Sequence, residues 1–175
     1  MEELHSNEQY FFDAPTTEYL ADFLLPWRHP CCLCCPTLGQ MLEKLGRSAT
    51  ILDVDERFRG TKGFLAYDLY RPQWLKQEFD IIVCDPPFFK LALSGLFAAI
   101  RVLSRNNFSQ PLLVSYLKRR ETAILGTFAK FNLRPTGIRP GYQTVKKCQR
   151  NDIEWYSNLS QERFPKPAYG ICGRQ

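Results

Sequence analysis

The chain lacks a glycine-rich loop. The segment CCLCCPTLG, which follows the first strand-like run, offers only Gly39. A phosphate cradle of the dinucleotide or nucleotide-triphosphate kind needs several glycines before a helix, so a cofactor, if any, must be held differently. No apolar run approaches the ~20 residues of a membrane span. The start, MEELHSNEQYFFDAP, is acidic and polar, unlike a secretory leader. A disulfide framework is also missing: the seven cysteines are an odd number and sit mostly inside apolar runs. Reduced thiols in a cytoplasmic protein are expected. Cys31, Cys32, Cys34 and Cys35 are crowded together with no second ligand pair further on. Neighbouring side chains of a strand point to opposite faces, so no metal is expected there. There is no internal repeat and no long linker. Residues 1–175 therefore read as one domain, with a helical extension over 1–28 and an irregular tail over 164–175.

What is present alternates. TTEYLADFLL (16–25) predicts an amphipathic helix with a threonine cap. Strands are expected at 30–35, 49–54, 64–67, 79–84 and 112–117, and two strand-like segments at 133–143 and 152–159. Helices are expected at 37–45, ended by Gly46, at 90–103 and at 120–131, with a turn or short helix at 72–76. Such alternation predicts an α/β fold, a mostly parallel central sheet flanked by helices.

The run FDIIVC (79–84) ends at Asp85-Pro86-Pro87-Phe88. A short apolar run reads as a buried strand, and two prolines stop it in a rigid turn. Open α/β sheets place their ligand crevice at the carboxyl ends of the strands. An acid, rigid carbonyls and an aromatic face thus meet where a ligand binds. This is equipment for holding an amino group during methyl transfer. The Asp85 side chain and the Pro86 carbonyl can each accept one N–H of a planar amine, drawing the nitrogen toward tetrahedral geometry and exposing its lone pair. Phe88 can stack on a base or line a channel for an alkyl amine. The protein contributes position and electrostatics, and the reactive methyl belongs to S-adenosylmethionine.

Three further acids close strands: Asp53 and Asp55 in ATILDVD, and Asp68 in FLAYD. An acid at a strand end accepts from ribose hydroxyls in dinucleotide folds, so these three are candidate cofactor residues, with Asp53 and Asp55 expected to share one face. Charge is uneven: the balance is −3 over residues 1–117 and +8 over 118–175. A basic half that includes Lys118, Arg119, Arg120, Arg134, Arg139, Lys146, Lys147 and Arg150 suits RNA or an acidic protein surface, and equally a solvated face with no partner.

In order, QYFF, CCPTL, LDVDERF, YDLYRP, FDIIVCDPPF and NDIEWYSN resemble the amino-methyltransferase family labelled probable N6-adenine methyltransferases. Its best understood branch methylates lysine on translation elongation factor 1A. The resemblance covers about residues 7–160. It implies a Rossmann-like class I fold dependent on S-adenosylmethionine, with the turn Cys35-Pro36-Thr37 replacing the glycine loop. It places Phe11, Phe12, Phe89, Tyr156 and Asn158 on the substrate side. The family commonly carries acids after its DPPF, where this chain has Phe89-Lys90-Leu91. A related ribosomal-RNA adenine methyltransferase shares the LDID-like strand and DPPF but adds zinc-finger modules. Three readings stay open: a lysine methyltransferase acting on an elongation-factor-like protein, an RNA adenine methyltransferase, and a non-catalytic scaffold.

Overall fold

The computed structural model describes residues 1–145 and 151–166. Seven strands form one sheet: β1 (Pro30–Leu33), β2 (Thr50–Asp53), β3 (Phe64–Ala66), β4 (Ile81–Cys84), β5 (Leu112–Leu117), β6 (Arg134–Pro135) and β7 (Ile153–Ser157), in the order β3-β2-β1-β4-β5-β7-β6. The first five run parallel, and β7 lies antiparallel to both its neighbours. Strand order reverses between β1 and β4, the point where open α/β sheets leave a crevice.

The helices are α1 (Ala14–Phe23), α2 (Pro36–Lys44), α3 (Leu93–Leu103) and α4 (Glu121–Thr127). Asp13 rather than a threonine caps α1, accepting from Thr16 N at 2.9 Å, and Pro15 occupies its first turn. The segment expected to be one helix over 120–131 divides into 3-10 turns flanking α4. No helix spans 72–76.

Two apolar layers sandwich the sheet. Leu33, Ile82, Cys84 and Val114 pack toward α3 and α4, while Cys32, Ile51, Val83 and Leu113 pack with Leu20, Leu38 and Leu42 of α1 and α2. Cys31 and Cys32 fall into opposite layers, as strand alternation requires. Each fully buried Leu, Ile or Val contributes about 1.5–3 kcal/mol. Among the described residues no His/Cys/Asp/Glu group of three is placed to hold a metal, and no helix is long and apolar enough to cross a membrane. The tail expected over 164–175 lies mostly outside the described residues.

Candidate active site

The carboxyl ends of β1, β2, β3 and β4 converge on a first cleft lined by Cys34, Asp53, Val54, Asp68, Asp85 and Pro87 among others. The turn after β1 is built without a glycine. Cys34 adopts φ 58° in the left-handed region, a conformation costing a non-glycine residue about 1–2 kcal/mol. Its N–H donates to Leu52 O at 2.8 Å, which ties the turn to β2. Cys34 is the thiol facing the cleft. Cys35 is buried, its Sγ 3.6 Å from Val83 O, and Pro36 opens α2. Neither they nor Thr37 line the cleft.

Asp53 and Asp55 do not share a role. β2 ends at Asp53, which faces the cleft and accepts the Asp55 N–H at 2.8 Å. Burial pushes its carboxyl up to about 6. Asp55 turns away, gripped by the Arg57 guanidinium at 2.7 Å and by Gln9 Nε2 at 2.9 Å. The Arg57 hydrogen bonds hold its carboxyl below the usual range. The expected common face fails because the strand stops at Asp53 and Asp55 caps the next 3-10 turn. Asp68 lines the cleft and accepts from Tyr70 N at 2.9 Å.

Asp85 is held to the sheet by its N–H, which donates to Leu33 O at 3.1 Å. Its Oδ1 accepts from Tyr142 Oη at 2.7 Å and from Ser115 Oγ. Burial pushes the carboxyl up to about 7 against these two hydrogen bonds. Beyond it lies a second cleft, lined by Tyr10, Phe88, Phe89, Leu117, Tyr142, Thr144, Val145, Asn151 and Ile153. Among the described residues no carboxylate lines it. Tyr10 borders both clefts, and the Asp85–Tyr142 hydrogen bond joins a residue of one to a residue of the other. Phe88 meets Tyr116 edge-on at 5.8 Å, while Phe89 is exposed beneath the Arg119 guanidinium at 6.0 Å.

The N-terminal segment closes over this edge. Glu8 Oε2 accepts from Phe89 N at 3.0 Å and Lys90 N at 3.1 Å. Phe11 and Phe12, expected on the substrate side, are buried instead: Phe11 packs on Phe58, Phe12 on Tyr142 and Trp155. Tyr156 is fully buried, its hydroxyl donating to Glu121. Asn158 binds Leu112 N and Gln110 O at the start of β5, the opposite edge of the sheet, because β7 runs antiparallel. Ser115, Tyr142 and Glu8 belong to no motif of the sequence. Of the three, Ser115 alone carries a signal: a small hydroxyl side chain in the buried run LLVSYL needs a partner.

The sequence profile of the family described as "Probable N6-adenine methyltransferase" matches residues 3–161. No curated protein matches the sequence significantly. Among solved structures, a TehB-like SAM-dependent methyltransferase from Corynebacterium glutamicum superposes with a TM-score of 0.57 at 13% identity, covering 85% of this chain and 89% of that one. Magnesium protoporphyrin IX methyltransferase from Synechocystis, determined with bound SAM, gives 0.56 at 15%, covering 82% and 78%. The E. cuniculi Mtq2–Trm112 complex, which methylates the termination factor eRF1, gives 0.55 at 14%, covering 85% and 97%.

Proposed function

The chain belongs to the probable N6-adenine methyltransferase family and draws its methyl group from S-adenosylmethionine; on that premise we propose that it methylates an exocyclic adenine amine of RNA, bound in the second cleft. The observation that carries this reading is that cleft's lining: Tyr10, Phe88, Phe89 and Tyr142 present aromatic surface with no carboxylate among them. Unpaired bases are recognised by stacking on such side chains.

The first cleft fits the cofactor. Asp53 is a buried carboxylate turned toward open space, suited to ribose hydroxyls. Asp68 stands where an adenine amine can be met, and Val54, Leu69 and Pro87 offer apolar walls to a purine ring. When bound, the cofactor supplies an electrophilic methyl on a sulfonium. The chain's own residues do the rest. Asp85 and the Pro86 carbonyl each accept an N–H of the acceptor amine, localising its lone pair. Asp85 receives the proton that nitrogen sheds as its new bond to carbon forms. Tyr10 and Phe88 hold the ring and exclude water.

A second reading is an elongation factor 1A-type lysine as acceptor. A carboxyl near pH 7 at Asp85 suits the removal of a proton from an ammonium before attack. The uncharged aromatic walls also suit an alkyl stem.

The test is transfer of labelled methyl into total cell extract, divided between protease and ribonuclease. Label lost with ribonuclease supports the adenine reading. Label lost only with protease transfers the assignment to lysine. For either acceptor, Asp85→Ala is expected to lower turnover by at least about a hundredfold with the fold intact. Undiminished transfer would overturn the site.

A further inference from the structure

The carboxylate of Asp85 is constrained on one oxygen only. Tyr142 Oη and Ser115 Oγ both donate to Oδ1, and no hydrogen bond among the described residues reaches Oδ2. A carboxylate has about four lone-pair sites, so two donors on one oxygen fix the rotamer while leaving the other oxygen free. We propose that Ser115 and Tyr142 are positioning residues for methyl transfer: they pin Oδ1 of Asp85 so that Oδ2 is presented to the acceptor amine at the junction of the two clefts. This rests on the assignment of Asp85 as the group that holds the acceptor.

Each donor is delivered by a separate part of the fold. Ser115 sits in the middle of β5, fully buried and paired with Trp155 of β7, where an unbonded hydroxyl would be costly. Tyr142 comes from the connection between β6 and β7 and is set by the N-terminal segment. It forms an isolated bridge with Phe12, whose ring lies 5.3 Å from its own. Gln143 N donates to Phe11 O at 2.9 Å, and Asp13 N to Gly141 O at 3.0 Å. A Cβ on Gly141 would fall on the Asp13 carboxylate, so the glycine permits this approach. Phe11 and Phe12 thus brace the tyrosine that touches Asp85.

Besides Ser115 and Tyr142, the groups facing Asp85 are the thiols of Cys34, Cys35 and Cys84, all pushed up by burial and protonated near neutral pH. The charged side chains of Glu8, Asp53, Asp68 and Lys90 and the phenols of Tyr10, Tyr67 and Tyr70 line the same cleft. The two hydrogen bonds favour the ionised carboxylate. Losing either is expected to raise its pKa further. A role confined to folding would leave the acid limb of turnover in place.

The experiment uses the full chain as Tyr142→Phe and Ser115→Ala, each checked for an unchanged melting profile. The Asp85 carboxyl is titrated by side-chain carbon NMR, its resonance assigned by loss in Asp85→Asn. Methyl transfer from S-adenosylmethionine into cell extract is followed across pH 6–9. Both variants are expected to titrate at higher pH than wild type. The acid limb of their turnover should move the same way, with about tenfold slower transfer at neutral pH and unchanged cofactor affinity. An Asp85 titration and pH profile unaltered in both variants would overturn the proposal. If one variant does not fold, the other decides alone. Full transfer by Asp85→Asn would instead remove the underlying assignment of Asp85, whatever Ser115 and Tyr142 do.

Discussion

Asp53 owes its raised carboxyl, at about 6, first to burial, which outweighs the N–H groups of Asp55 and Val54 turned toward it. Ribose hydroxyls donate to the ionised form, and a sulfonium nearby favours the same form. The folded-state value lies above the ordinary carboxylate value, so the binding-competent charge is absent below about pH 6 and present above it. Affinity for S-adenosylmethionine is therefore expected to tighten as pH rises through about 6, measurable by calorimetry between pH 5 and 8. Asp53→Asn should weaken binding by about tenfold or more and flatten that dependence. A profile equally steep in the variant would exclude Asp53 as the titrating group. Asp55 would not substitute, since Arg57 already occupies its carboxylate.

At the scale of elements, the packing of α2 on β2 turns on one residue. A Cβ at Gly39 would run into the side chain of Ile51, which is fully buried. Gly39→Leu is expected to destabilise the protein by about 1–3 kcal/mol through overpacking, even though leucine improves helix propensity by nearly 1 kcal/mol. Adding Ile51→Ala should recover part of the loss, a coupling of about 0.5–3 kcal/mol by urea denaturation. Strict additivity of the pair would contradict the close approach. The same packing explains why the sole glycine of CCLCCPTLG serves α2 and not a phosphate. The tight turn itself falls to Cys34 in the left-handed region.

For the whole molecule, tertiary structure sorts the cations of the basic half. Lys118 is paired with Glu121 and with Glu154 at 2.8 Å, and Arg139 with Asp152 at 2.9 Å. Arg119, Arg120 and Arg134 make no ion pair among the described residues, and Arg119 lies over Phe89, whose side chain lines the second cleft. Lys146, Lys147 and Arg150 lie outside the described residues. If RNA is the substrate as proposed, binding to single-stranded RNA is expected to weaken linearly in log–log terms with salt. Arg119→Ala with Arg120→Ala should reduce that slope by about 0.7 for each phosphate no longer neutralised. An unaltered slope, measured by fluorescence anisotropy, would remove these arginines from the RNA interface.

The amino-acid order alone determined the α/β alternation, the strand ahead of Asp85-Pro86-Pro87-Phe88 and the acids at strand ends, because apolar runs and proline act locally and ligands gather at the carboxyl edge of a parallel sheet. Fold class and cofactor class were legible there for that reason. Tertiary structure decided which of two aspartates two residues apart faces the cleft, since the strand ended at Asp53, before it could include both. It also decided the sense of β7, which carried Asn158 to the far edge. It alone brought Ser115, Tyr142 and Glu8 to the site from positions 30, 57 and 81 residues away from their partners. Pairings of that separation are set by how strands align and how the N-terminal segment docks, and no local pattern records either.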